Sequence, residues 1–274
     1  IVAIVIVLLG VVIAQVFAPS YTFFIMIIAI VFSLFYLWIT YYNSDKIAIA
    51  SVNAKPATRE KFREYYNLVE GLTIASGLPM PRLYVMQDDQ INAFASGRDP
   101  KHAVICVTTG ALDKLEKREI EGVLAHELGH VGNYDIRYIT LVSVMVGMIA
   151  IISEIFLRSL WFRSGGSDDN KGNALFLIIG IALAILAPIV VQLVQLSISR
   201  KREFMADATS VKFTRNPQGL IKALEKIKLD YTKGIDSKKR VGKSVAPLFF
   251  ASPFKDALST HPSVERRIEA LKKM

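Results

Sequence analysis

The chain has 274 residues, is 52% hydrophobic and has a mean hydropathy of +0.38. That balance excludes an ordinary soluble domain and points to a membrane protein with the lipid bilayer as a partner. The net charge of +9 admits nucleic acid, but no RNA- or DNA-reading motif accompanies it, so nucleic acid is excluded as a partner. Much of the basic excess sits instead in Arg200-Lys201-Arg202, just after an apolar run, and in Lys238-Lys239-Arg240. The first cluster is what the positive-inside rule expects beside a membrane. One cysteine, Cys106, rules out an internal disulfide framework and any zinc site built mainly on cysteine. Its neighbours, Val104-Ile105-Cys106-Val107, mark it as a small buried hydrophobe.

Residues Ile1 to Phe17 are uncharged and nearly long enough to span a bilayer. The chain opens on Ile1, not Met, and this segment is expected to continue into residues ahead of it. Tyr21 to Tyr42 is a second uncharged run, with aromatic residues at both ends that suit the two interfaces. Only Ala18, Pro19 and Ser20 separate the two, so residues 1–42 are expected to form a tight transmembrane hairpin. A signal peptide is the rival reading of the first segment; the absent basic n-region and the second span argue against it.

Residues 43–137 are soluble in character. Ala57 to Ser76 has amphipathic helical spacing. Arg82 to Met86, Gln90 to Ser96 and His102 to Thr108 read as short strands. A helix starts near Thr109. Residues 138–198 carry two weaker apolar runs, Ile139 to Ile152 and Ala174 to Val191, the latter interrupted by Pro188. They read either as a second transmembrane hairpin or as a hydrophobic hairpin only partly inserted. Residues 199–274 contain a helix through Glu203, an amphipathic stretch from Pro217 to Leu229, a basic loop at Lys233 to Lys243 and a helix from Pro262. The predicted class is therefore α+β, mainly α, with a small sheet and two hydrophobic helical hairpins. Because residues 43–137 and those after Ile198 hold most of the Lys and Arg, the soluble parts are expected on the cytoplasmic side of the cell membrane.

The chemistry is concentrated in His126-Glu127-Leu128-Gly129-His130. Histidines four apart on a helix share one face and can hold one Zn²⁺, with the intervening glutamate in reach of the water the metal activates. Leu124 and Leu128 fit core positions at helical spacing, and Gly129 leaves room beside the ligands. A catalytic zinc needs a third protein ligand. Glu203 and Asp207 are one turn apart on a second helix; Glu203 could bind the metal and Asp207 could accept the free N–H of a ligating histidine. From spacing alone, a solvated acid pair beside a basic cluster is an equal reading. Glu127 fits a general base that takes a proton from water and returns one to the leaving amine.

Together with these motifs, Asn92-Ala93-Phe94-Ala95-Ser96-Gly97, Val107-Thr108-Thr109-Gly110, Glu203-Phe204-Met205-Ala206-Asp207 and Ser259-Thr260-His261-Pro262 resemble the M48 membrane metallopeptidases, most closely the HtpX-type heat-shock proteases. The resemblance covers nearly the whole chain. It implies one Zn²⁺ per chain on His126, His130 and Glu203, with Glu127 as catalytic base and Asp207 as partner of a ligating histidine. It implies that His261 helps stabilise the oxyanion of the reaction, and that Arg267 supports Glu203 or the site electrostatically. It also implies that Asn92, Ala93, Phe94 and Ala95 form an edge strand that can pair with an extended peptide; Phe94 itself reads equally as core or as substrate pocket. His102 reads as simply exposed. The implied activity is zinc-dependent endoproteolysis of misfolded or damaged membrane proteins. Two alternatives stand beside it: a CAAX-type prenyl-peptide protease, and a non-catalytic membrane scaffold or zinc-binding sensor. The basic loop at Lys233 to Lys243 matches no family motif.

Overall fold

The structure is a computed structural model and describes residues 20, 22–138, 182, 200–233 and 262–274. The expected span at 1–17, both apolar runs within 138–198 apart from residue 182, the basic loop beyond residue 233 and His261 lie outside the described residues. Contacts along the chain divide it into two compact units, residues 1–42 with 144–194 and residues 43–143 with 195–274.

In the first unit, helix α1 (Thr22–Tyr42) is a run of 21 residues without a charge. Phe23, Phe24, Phe32, Phe35 and Trp38 are all exposed on it. Several of its other side chains lie outside the described set. Among the described residues no helix is long and apolar enough to cross a membrane.

The second unit holds α2 (Ser44–Ser51), β1 (Lys55–Pro56), α3 (Arg63–Ser76), β2 (Arg82–Met86), β3 (Ala93–Ser96), β4 (Val104–Thr108), α4 (Thr109–Lys114), α5 (Lys117–Gly132), α6 (Arg200–Thr214), α7 (Pro217–Lys233) and α8 (Val264–Leu271). The sheet order is β1-β2-β4-β3. β2 and β4 are parallel, in register Arg82↔Val104 to Met86↔Thr108. β3 runs antiparallel to β4, from Ala93↔Val107 to Ser96↔Val104, and is the last strand of that order. Every β4 residue is buried, because both faces of the sheet are covered. On one face Leu83, Val85, Ala93, Ala95, Ile105 and Val107 join the main core with α3, α5 and α7. On the other, Phe94, Val104 and Cys106 pack with Ala48 and Ile49 of α2. Phe94 is thus a core residue, with no exposed surface, and Cys106 is a buried free thiol.

Element boundaries move for local reasons. The helix expected from Ala57 starts only at Arg63, because the Ala57 amide donates to the Leu83 carbonyl at 2.9 Å and keeps that stretch at the sheet. α3 then buries Tyr65, Leu68, Val69 and Leu72, the spacing of an apolar helix face. It ends at Gly77 with φ of 71°, a left-handed cap. The strand expected from Gln90 begins at Ala93, because the Gln90 amide turns back to the Asp88 carboxylate at 2.9 Å. Pro100–His102 forms a short 3₁₀ turn whose cap, Asp99, also holds the half-exposed His102 ring at 2.7 Å. The helix expected from Thr109 is two helices. Thr108 caps the first, and Glu116 opens the second through a reciprocal capping box with Glu119.

α5 is central, packed on β3, α3, α6 and α7. Its approach to α7 depends on a missing side chain. A Cβ on Gly122 would lie 2.6 Å from the Leu220 amide nitrogen and 2.9 Å from its Cα. Backbone cannot yield as a flexible side chain can, so Gly122→Ala is expected to lower stability by about 1–3 kcal/mol. Gly71→Ala, where nothing lies within 4 Å, should leave stability unchanged or slightly raised. Thermal unfolding of the two variants beside the parent checks this; equal midpoints would overturn the packing argument.

Candidate metal centre

Burial along α6 is polar. Glu203, Asp207 and Ser210 point inward with Ala206 at helical spacing, and all four are at most 1% exposed. Such a face needs polar partners, and α5 supplies them. The Ser210 hydroxyl donates to the Gly122 carbonyl at 2.9 Å. Higher up, the helices approach at Gly129, where a Cβ would lie 3.2 Å from the Ala206 Cα and carbonyl oxygen. The room at Gly129 is therefore taken up by α6, which brings Glu203 beside His126 and His130.

The two histidine rings are nearly perpendicular, at 89°, with centroids 4.7 Å apart. Their Nε2 atoms are 3.1 Å apart. Glu203 places Oε2 3.7 Å from His126 Nε2 and Oε1 3.6 Å from His130 Nε2. A tetrahedral ion with ligand distances of about 2.0–2.1 Å needs donor separations of about 3.3–3.4 Å. The three observed separations bracket that value, and one donor atom from each of His126, His130 and Glu203 lies within 4.8 Å of the others. Two imidazoles and a carboxylate also suit the donor preferences of zinc.

Each ring is held from behind by an acid. His126 Nδ1 lies 2.9 Å from Asp207 Oδ1. Arg267 of α8 grips the same carboxylate as a fork, donating from Nε at 2.9 Å and from Nη2 at 2.6 Å. Its Nη1 is 3.6 Å from Glu203 Oε2. Burial and the neighbouring guanidinium push His126 down to about 4, so its ring is neutral. Asp207 would be raised by burial, but the Arg267 charge holds it below its ordinary value.

The second ring uses a residue that sequence spacing did not single out. His130 Nδ1 lies 3.1 Å from Asp135 Oδ2. α5 ends at Gly132, and Tyr134 takes a left-handed conformation with φ of 60°, turning the chain so that Asp135 folds back under the ring. Arg202, beside Glu203 on α6, donates to Asp135 Oδ1 at 3.3 Å. Burial alone would lower His130, but the Asp135 hydrogen bond and the Glu203 and Glu127 charges outweigh it and push the ring up to about 9. A signal for Asp135 existed: an acid just past a Gly-Asn helix stop, with an arginine next to the third candidate ligand.

Glu127 is buried between α5 and β3 and accepts a hydrogen bond from the Ala95 amide. Burial pushes its carboxyl up to about 7. Asn92 is also buried; its side-chain oxygen accepts from the Ala93 amide at 2.9 Å. The structure therefore brings together His126, His130, Glu203, Asp207 and Arg267, with Glu127 beside β3. His102 stands apart, paired with Asp99.

The model of Peptidase family M48 matches residues 59–274. The chain is 44% identical over 252 residues to the "Protease HtpX homolog" of Caldanaerobacter subterraneus subsp. tengcongensis, covering 89% of this chain and 83% of that one. It is 36% identical over 257 residues to the protein of the same name from Ligilactobacillus salivarius, covering 90% and 85%. The crystal structure of S. mikatae Ste24p is similar in fold, with a TM-score of 0.51 at 18% identity; the match covers 97% of this chain and 62% of that longer one. With a family model spanning most of its length and relatives aligned over nearly all of it, this chain belongs to peptidase family M48 and is a metalloprotease.

Proposed function

We propose that the chain is a membrane-embedded zinc endopeptidase that cleaves misfolded or damaged membrane proteins, with His126, His130 and Glu203 as the metal ligands. The observation that carries this reading is the triangle of buried donors, each histidine braced through its Nδ1 and each facing Glu203. Bound there, zinc supplies Lewis acidity that brings the pKa of a water toward about 7 and polarises the scissile carbonyl. Glu127 takes the proton from the attacking water and returns one to the departing amine. A carboxyl whose pKa lies near neutrality is suited to both steps. Asp207 and Arg267 keep His126 in the tautomer that presents Nε2 to the metal.

β3 is the substrate-pairing strand in this reading. Its place at the end of the sheet order, with Ala95 beside Glu127, supports main-chain pairing with an extended peptide, although all four β3 residues are buried and the Ala95 amide already donates to Glu127. Such pairing reads backbone and not sequence, which suits unfolded substrates. His261 would donate to the oxyanion; its place just before α8, which carries Arg267 into the site, supports that role. The outward aromatic face of the uncharged α1 supports membrane embedding, since so large an apolar display is unusual on a soluble monomer. The packing of α5 on α6 supports residues 43–137 and 199–274 as two parts of one catalytic domain, with 1–42 and 138–198 as membrane hairpins. The charge pattern supports a cytoplasm-facing site. Single cysteines placed between Gly165 and Asn173 should react only from the opposite side; labelling from the cytoplasm would overturn the four-span topology.

The test of the activity is cleavage of an unfolded model protein by the full chain in detergent. Removing zinc should abolish cleavage, and restoring about one equivalent should recover it. Cleavage that persists in the metal-stripped protein would refute the zinc mechanism. Tight zinc binding with no cleavage of any unfolded substrate would favour a sensor or scaffold.

A further inference from the structure

We propose that Asp135, held by Arg202, is the positioning residue of the second metal ligand, His130, and that it sets how tightly the site holds its metal. The inference rests on the reading of His126, His130 and Glu203 as ligands and adds a residue to it. Three observations carry it. Asp135 is buried, and its Oδ2 lies 3.1 Å from His130 Nδ1, the ring nitrogen turned away from Glu203. Its other oxygen is engaged by Arg202 Nη1 at 3.3 Å, so the carboxylate is fixed at both ends. The chain adopts a left-handed residue, Tyr134, to put it there, a conformation that a bulky side chain adopts only at some cost.

The arrangement repeats, with different residues, what Arg267 and Asp207 do for His126. In each case an arginine holds an aspartate and the aspartate holds an imidazole by Nδ1. An imidazole that donates through Nδ1 to a carboxylate has Nε2 free as a lone pair and is a more basic ligand. The two braces differ in solvent exposure. The Arg267 side chain is 2% exposed, whereas that of Arg202 is 30% exposed and lies over the Tyr138 ring, with its guanidinium carbon 4.2 Å from the centroid. The Asp135 brace thus joins the end of α5 to the start of α6.

Asp135→Ala should weaken zinc binding by about 10–100-fold, read by competition with a chromogenic chelator on the full chain in detergent. Asp135→Asn keeps an acceptor for Nδ1 but loses the charge, so its loss should be smaller than that of Asp135→Ala. The electronic spectrum of the cobalt-substituted Asp135→Ala protein should shift in wavelength, because the ligand geometry changes. The thermal midpoint of the metal-free Asp135→Ala protein should fall, since a buried acid that partners His130 and Arg202 is lost, and that of Asp135→Asn should fall less. Variants that bind zinc within twofold of the parent would overturn the inference while leaving the ligand set intact. A metal-free midpoint that collapses in both variants with unchanged zinc affinity in the folded fraction would show a purely structural role, and also overturns it. A parent that binds no zinc would instead refute the ligand reading itself.

Discussion

Glu127→Gln, purified as the full chain, is expected to keep about one zinc while cleavage of an unfolded protein falls by about 10²–10⁴-fold. The reasoning is geometric. Glu127 is not among the three donors that converge at the site; it sits beside β3, hydrogen-bonded by the Ala95 amide. An amide of nearly the same shape can still accept that hydrogen bond, so the fold and the metal are retained. It cannot take a proton from water, so the chemical step loses its base. Loss of metal together with activity would mean that Glu127 is a ligand or a scaffold residue. Unchanged activity would assign the base elsewhere. The same variant separates the enzyme from a scaffold, for which the substitution would be silent.

The second large effect concerns Arg267. Its guanidinium is 2% exposed and touches the buried carboxylates of both Asp207 and Glu203. Arg267→Met preserves much of the volume but leaves Asp207 with a buried charge whose fork is gone. Breaking one side of a buried ion pair costs about 3–5 kcal/mol. The loss should be largest in the metal-free protein, because a divalent cation beside Glu203 replaces part of the missing positive charge. Thermal unfolding with and without zinc checks both statements. If the single variant fails to fold, Arg267→Met combined with Asp207→Leu should recover part of the loss by removing the stranded acid. A single variant within about 1 kcal/mol of the parent, the range of an exposed ion pair, would contradict the burial argument.

How much of this was legible in the sequence depends on which interactions are periodic. β2 was readable to the residue, because Leu83–Met86 is a compact apolar run that follows Pro81-Arg82 and stops short of Asp88-Asp89. The His126/His130 and Glu203/Asp207 pairs follow helical spacing and could be placed on helix faces in advance. Pattern-reading failed where backbone geometry is not periodic. Asp135 is five residues beyond His130, off its helical face, and reaches it only through the turn at Tyr134. β1 is two residues long and includes Pro56, too short to leave a strand signature. The break at Leu115 and Glu116 interrupts a stretch that looks uniformly helical, and only the reciprocal capping by Glu116 and Glu119 marks it. Arg267 could be connected with the site, but its main partner, Asp207 and not Glu203, is a matter of how α8 packs on α6. Hydrophobic patterning also misreads α6, whose buried stripe is made of Glu203, Asp207 and Ser210.

The order in which the metal centre is written along the chain also bears on biosynthesis. His126, His130 and Asp135 come before residue 139, Glu203 and Asp207 come after residue 199, and Arg267 follows another helix beyond them. A chain emerging from its N-terminus carries the two histidines long before the third donor exists. When Glu203 and Asp207 emerge, the arginine that neutralises them is still to be synthesised. Contacts of such long sequence separation form late. A nascent chain of this design lacks one of the three converging donors until residue 203 has been made, and Glu203 and Asp207 stay without their arginine until residue 267 follows.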